Sequence, residues 1–127
     1  MMEIRDMNVD DFFNKMIELF PTIKYKIKLH TIEFGERLDT TVVEDIIMPE
    51  VLDLLNKETD QEKIRRVFDY FEDVCINSDE YQNNVFSITA LEILGNEKET
   101  LDKAKKYMGP VTTKLQREAD IALGRDV

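Results

Sequence analysis

The chain has little of several residue types, and each shortage excludes a class of protein. Its 127 residues include one cysteine, Cys75, so no disulfide can form within the chain. No run approaches the ~18 consecutive apolar residues that mark a membrane-spanning helix. The N-terminal residues MMEIRDMNVDD lack the basic start and apolar stretch of a secretory signal. We therefore expect a cytoplasmic protein without a membrane partner.

Residues that catalysis commonly uses are equally scarce. His30 is the only histidine, and a zinc site usually needs three or four protein ligands. The glycines are scattered at positions 35, 95, 109 and 124, so they form no glycine-rich phosphate loop. No nucleophile and base stand in a recognisable arrangement. We therefore predict no enzyme activity, no cofactor and no metal site, and we interpret His30 as a partly exposed structural residue.

What the sequence does contain is apolar residues at helical spacing. Residues 59–95 predict a helical hairpin whose first helix carries an apolar stripe at i, i+3, i+4 and i+7. The second helix has apolar residues on nearly every side, which predicts a central helix packed against several others. The connections along the chain are short, which favours antiparallel neighbours. We predict one domain, 1–127, that forms an all-α compact bundle or short superhelix of about six antiparallel helices.

Two segments leave alternatives open. In residues 23–29, apolar side chains alternate with lysines, which is a strand pattern. A lone strand cannot satisfy its backbone groups, so a helix is favoured, and an α+β fold with a short strand here is the alternative. Pro49 interrupts the apolar face of residues 43–55, and it either kinks that helix or begins a new one. Whether Glu92 on the central helix is buried also stays open.

The net charge of −10 comes from one part of the chain. Residues 33–80 hold fifteen acidic and five basic residues, whereas acids and bases balance in the segments before and after. Binding of nucleic acid through this segment is disfavoured, because phosphates attract Lys and Arg. A basic protein partner is favoured, because opposite charge speeds the encounter.

The outer face of the first hairpin helix is the best candidate for that interaction. Tyr70 and Ile76 lie off the apolar stripe among carboxylates, and such a mixture is typical of an interface with apolar anchors and orienting charges. We therefore predict a partner-binding surface in this part of the chain. Its candidate residues are Glu44, Asp45, Asp53, Glu62, Asp69, Tyr70, Glu72, Asp73, Ile76, Asp79 and Glu80.

Two other functions are kept as alternatives. Glu33 and Glu36 form an E-x-x-E pair that, with Asp69, Glu72 and Asp73, could hold magnesium as in all-helical nucleotide pyrophosphohydrolases. The residue pattern around them is typical of a solvated acidic face, and a phosphate site would also need nearby Lys or Arg. The second alternative is a homo-oligomeric structural or adaptor protein.

Four segments together carry a resemblance to a known kind of protein. They read LFPTIKYKIKLH, VVEDIIMPEVLDLL, RRVFDYFEDV and NNVFSITALEIL. With them, most of residues 12–120 resembles a small bacterial all-helical family that accompanies polymorphic toxin systems. Small acidic members of such systems act as immunity proteins, so the resemblance implies an immunity protein that neutralises a basic toxin domain through residues 33–80. It implies no catalytic residue.

Overall fold

Seven helices and no β-strand make up the part of the chain that the computed structural model describes, residues 7–125 without the side chain of Ser87. The all-α prediction is confirmed, with one helix more than expected. No helix in this range is long and apolar enough to cross a membrane. The helices are α1 (Val9–Leu19), α2 (Ile23–Phe34), α3 (39–57), α4 (Gln61–Asn77), α5 (80–94), α6 (Lys98–Lys105) and α7 (Pro110–Ala122).

Helices α1 and α4 follow directly from their apolar periodicity. In α1, Phe12, Phe13 and Met16 are buried, and Asn8 and Asp11 form a reciprocal capping box at its start. In α4 the predicted stripe is buried except for its last residue, Cys75, which is half-buried. Its buried residues are Ile64, Val67, Phe68, Phe71 and Val74.

Helix α2 excludes the strand alternative for residues 23–29. Of its twelve residues only Ile23 and His30 are buried, so most of its apolar side chains face outward. His30 is 7% exposed, and its Nε2 accepts a hydrogen bond from the Leu38 amide at 3.1 Å. Its structural role agrees with our interpretation, but the expected partial exposure is wrong.

Helices α3 and α5 each contain one π-helical turn, and the two turns pack against each other. In α3 the turn is Val43–Ile47, which ends two residues before Pro49. A proline has no N–H and its ring meets the carbonyl four residues back, so a helix that contains one needs a local adjustment. The π-helical turn provides this adjustment. Helix α3 therefore continues through Pro49 instead of ending there.

Helix α5 is the centre of the bundle, as its sequence predicts. It contacts α1, α3, α4, α6 and α7, and Phe86, Leu91 and Leu94 are fully buried in the core. It is not covered on every side, because Ile88 is 59% exposed. The open question about Glu92 has an intermediate answer, since this residue is half-buried.

The end of the described chain is tied back to α5. Arg125 donates hydrogen bonds to the buried Asp120 carboxylate at 2.9 Å, the Glu92 carbonyl at 3.2 Å and Asn96 Oδ1 at 2.6 Å. Gly95 lies under this contact, where a Cβ atom would overlap the side chains of Arg125 and Asp120. This close approach therefore depends on a glycine at position 95.

Candidate functional site

The outward side of α4 forms an exposed ridge between α1 and α7, the two helices that flank it. Side chains spaced i, i+4, i+7, i+11 and i+14 lie along one side of a helix. All five members of this row are exposed, and Ile76 at its end is 57% exposed. We call this row the α4 ridge, and its residues are Glu62, Arg66, Asp69, Asp73 and Ile76.

An open groove of about 630 Å³ runs along the α1 side of this ridge. It brings together three of the predicted residues, Asp69, Tyr70 and Asp73, with side chains that were not predicted to bind a partner. We call it the α1–α4 groove. Its lining residues are Lys15, Glu18, Leu19, Lys63, Arg66, Asp69, Tyr70 and Asp73.

Tyr70 gives the groove an aromatic surface that is fixed in place. Its ring stacks on Phe12 with centroids 6.1 Å apart, and its hydroxyl donates to Met7 Sδ at 3.1 Å and lies 3.5 Å from the Asp11 carbonyl. Burial, with help from the carboxylates of Asp11 and Asp73, raises the pKa of Tyr70. The hydroxyl therefore stays protonated at neutral pH, and Tyr70 offers a surface for contact and not a group for proton transfer.

The charge of the groove is mixed, which differs from the acidic face expected from the sequence. Lys15, Lys63 and Arg66 line it beside three carboxylates. Lys63 Nζ lies 4.5 Å from the centroid of the Phe20 ring, and Arg66 lies 4.0 Å from Glu62. Among residues 7–125, the carboxylates of Asp69 and Asp73 pair with no cation. These two groups are therefore available to a partner.

Glu72, one of the predicted partner-binding residues, does not line the α1–α4 groove. It points to the other side of α4 and caps the N-terminus of α7. Its Oε1 accepts from the Thr112 amide and hydroxyl, both at 2.8 Å, and its Oε2 accepts from the Val111 amide at 3.0 Å. The N-cap residue Gly109 has no side chain to satisfy these amides. A carboxylate from α4 does so instead, at the positive end of the helix.

The hydrogen bonds from α7 favour the ionised form of Glu72. Partial burial opposes ionisation, but the hydrogen bonds from Thr112 and Val111 outweigh it, and the pKa of Glu72 is lowered. Gly109 makes the approach possible, since a Cβ atom there would lie 2.5 Å from Glu72 Cδ. Glu72 therefore stabilises the fold as an anion.

The other predicted residues lie in separate places. Asp79 is also structural, because its Oδ1 accepts from the Gln82 amide at 2.8 Å and caps α5. Asp53 pairs with Lys57 at 3.0 Å, and Glu44 lines a second open groove beside α5. Asp45 and Glu80 are exposed. Acidic residues that are close in the sequence are therefore divided among three helices.

The five carboxylates considered for magnesium do not form one site. In residues 7–125 the structure contains no group of three or more Cys, His, Asp or Glu side chains arranged to hold a metal ion. Glu72 is engaged by α7, whereas Glu33 and Glu36 are exposed at the end of α2. The positions of these side chains thus give no support to the nucleotide pyrophosphohydrolase alternative.

The fold and the groove define an all-α domain with a mixed-charge, aromatic-lined surface between α1 and α4. The chain belongs to the family described as a domain of unknown function, DUF7674, whose family model matches residues 13–122. No curated protein and no solved structure matches the chain.

Proposed function

We propose that this protein is a protein-binding module of the immunity type, which neutralises a basic toxin domain through the α4 ridge and the α1–α4 groove. The observation that carries the proposal is a pair of unpaired, exposed carboxylates, Asp69 and Asp73, beside the exposed Ile76 on the same row. These side chains contribute little to the core, because α4 is held by its opposite face. Exposed apolar groups among free charges are typical of a docking surface.

The mixed charge of the groove specifies the partner more closely. A cationic side chain of the partner would pair with Asp69 or Asp73, whereas Lys63 and Arg66 would repel a cation placed one turn earlier on α4. Attraction at one place and repulsion at another fix the register of a complex. The net charge of −10 adds long-range attraction to a basic domain. The partner is therefore a basic protein whose cations are clustered, and Asp69 and Asp73 would occupy the position of substrate phosphates in its active site.

A growth assay tests this proposal. The basic protein encoded beside this gene is expressed in a host that it harms, together with the wild-type chain or a variant. We expect the wild-type chain to restore growth and the double variant Asp69→Lys/Asp73→Lys to fail. The matched control is Asp102→Lys/Glu118→Lys, which changes the net charge equally at exposed positions of α6 and α7 and should protect.

Two results would overturn the proposal. One is loss of protection by both double variants, because protection would then depend on the net charge of the protein and not on the α4 ridge. The other is that no neighbouring basic protein harms the host in the absence of this chain. Both variants must first show wild-type circular dichroism and thermal unfolding.

A further inference from the structure

A cleft of about 230 Å³ lies where the end of α6 meets α7, away from the α4 ridge. Four of its lining residues are spaced i, i+3, i+4 and i+7 on α7, so they share one face of that helix. The other two lie at the end of α6 and in the turn that follows it. We call this cavity the α6–α7 cleft, and its lining residues are Lys105, Met108, Thr113, Gln116, Arg117 and Asp120.

Two of the lining residues are polar and almost completely buried, since Gln116 and Asp120 are each 1% exposed. Gln116 Nε2 donates to the Leu91 carbonyl at 2.9 Å and to Asp120 Oδ1 at 3.1 Å. Gln116 Oε1 is also buried, and it has no hydrogen-bond partner in the described part of the chain. Turning the amide over would set its oxygen against two acceptors, so its orientation is fixed. A buried acceptor without a donor is costly, so this oxygen requires a donor from a bound molecule.

The mouth of the cleft has the opposite chemistry. Lys105 and Arg117 are exposed there, and neither forms an ion pair with another residue of the range 7–125. The surrounding segment, residues 96–125, holds seven basic and five acidic residues, although the whole chain has a net charge of −10. The mouth therefore attracts an anion. Met108 is half-buried and adds apolar surface to the wall.

We propose that the α6–α7 cleft binds a small apolar α-amino acid. Its ammonium group donates to Gln116 Oε1, on the side of the Asp120 carboxylate. Its carboxylate pairs with Lys105 and Arg117, and its side chain contacts Met108. A cavity of about 230 Å³ holds roughly seven or eight water-sized groups, which is the size of L-valine.

Simpler ligands meet only one of the two requirements. Acetate or inorganic phosphate would pair with Lys105 and Arg117, but it would face the buried carboxylate of Asp120 and acetate would bring no donor to Gln116 Oε1. An amine without a carboxylate would supply the donor and leave both cations unpaired. Water would satisfy Gln116 and gain nothing from the cations. An amino acid carries the donor and the anion on one carbon atom, so it meets both requirements within a small volume.

Titration of the isotope-labelled protein with L-valine, followed by NMR, tests the proposal. The side-chain amide of Gln116 gives its own pair of signals and reports from inside the cleft. We expect these signals and that of the Thr113 amide to shift in a saturable way, with a dissociation constant in the millimolar range. Trimethylglycine is the matched control ligand, because it is an isomer of L-valine with the same two charges but no hydrogen on its nitrogen. It should bind at least about tenfold more weakly.

A double variant tests the other end of the ligand. Lys105→Gln/Arg117→Gln removes the two cations at the mouth, and both side chains are exposed, so the variant should keep its fold. We expect it to bind L-valine about tenfold more weakly than the wild type does. The control is Lys28→Gln/Lys114→Gln, which changes the net charge equally at exposed positions that do not line the cleft. It should bind L-valine like the wild type.

The proposal is overturned if no signal from the cleft shifts at tens of millimolar L-valine, or if both double variants lose binding equally. Binding of trimethylglycine as tight as that of L-valine would contradict the hydrogen bond to Gln116 Oε1. Binding of acetate as tight as that of L-valine would show a simple anion site instead. None of these outcomes depends on whether the α4 ridge binds a basic protein.

Discussion

Replacing Glu72 by glutamine tests whether one carboxylate joins α4 to α7. Glutamine can keep the two hydrogen bonds to Thr112 through its carbonyl oxygen, but its NH₂ group cannot accept from the Val111 amide. An unsatisfied donor costs about 1–3 kcal/mol, and loss of the negative charge at a helix N-terminus costs about 0.3–1 kcal/mol. We expect Glu72→Gln to lower the free energy of unfolding by about 2 kcal/mol.

Urea denaturation followed by circular dichroism measures this change, with an unchanged slope as evidence that both proteins unfold in the same way. The control is Asp69→Asn, which neutralises an exposed carboxylate on the same helix and should change stability by less than about 0.5 kcal/mol. Overlapping curves for the two variants would refute the assignment of Glu72 as the cap of α7.

The pH dependence of stability in the wild type and in Glu72→Gln tests the same contact. The pKa of Glu72 is lowered in the folded state, so its carboxylate stabilises the fold above the ordinary pKa of glutamate. This contribution is lost as the pH falls through the folded-state pKa. The difference in stability between wild type and Glu72→Gln should therefore be full at neutral pH and should shrink in acid. If the difference in stability stays constant as the pH falls, the negative charge of Glu72 is not what stabilises the N-terminus of α7.

Two further predictions concern the core and the end of the chain. Gly95→Ala should destabilise the protein by about 1–3 kcal/mol in thermal unfolding, because the new methyl group collides with Arg125 and Asp120. The penalty should be smaller in an Arg125→Ala background, and an equal penalty there would show that contact with Arg125 contributes nothing to it. Phe86→Ala should cost about 3–5 kcal/mol in urea, since Phe86 is fully buried at the centre of the bundle. A loss below 1 kcal/mol would mean that α5 is not the centre.

The sequence predicts a helix well where one face of the helix is buried and the opposite face is exposed to solvent. Phe12 and Met16 in α1, and the stripe of α4, show the helical period because the core selects apolar residues at that spacing. Helix α2 breaks this rule. Its apolar stripe of Tyr25, Leu29 and Ile32 is exposed to solvent. The helical spacing of these three residues therefore does not come from packing against the core.

The binding surface is only partly predictable, because its parts come from helices distant in the chain. The exposed row on α4 follows from the helical period alone. Lys15 of α1 and Asp73 of α4 line the same groove because of how the two helices pack, and no local sequence pattern predicts this. The sequence only weakly indicates the role of Glu72. Gly109 and Pro110 begin α7 without a side-chain cap, so an acceptor for its first amides must come from elsewhere in the chain. Nothing in the sequence says that it comes from position 72.

Titration calorimetry with the basic protein encoded beside this gene tests the central claim most directly. The wild type and the double variants Asp69→Lys/Asp73→Lys and Asp102→Lys/Glu118→Lys have their dissociation constants measured side by side at physiological salt. We predict that reversal on the α4 ridge weakens binding by about 100-fold, or about 2.7 kcal/mol, and that the control changes it by less than about threefold. Equal weakening by both variants, or no weakening by either, would contradict the claim that the α4 ridge is the binding surface.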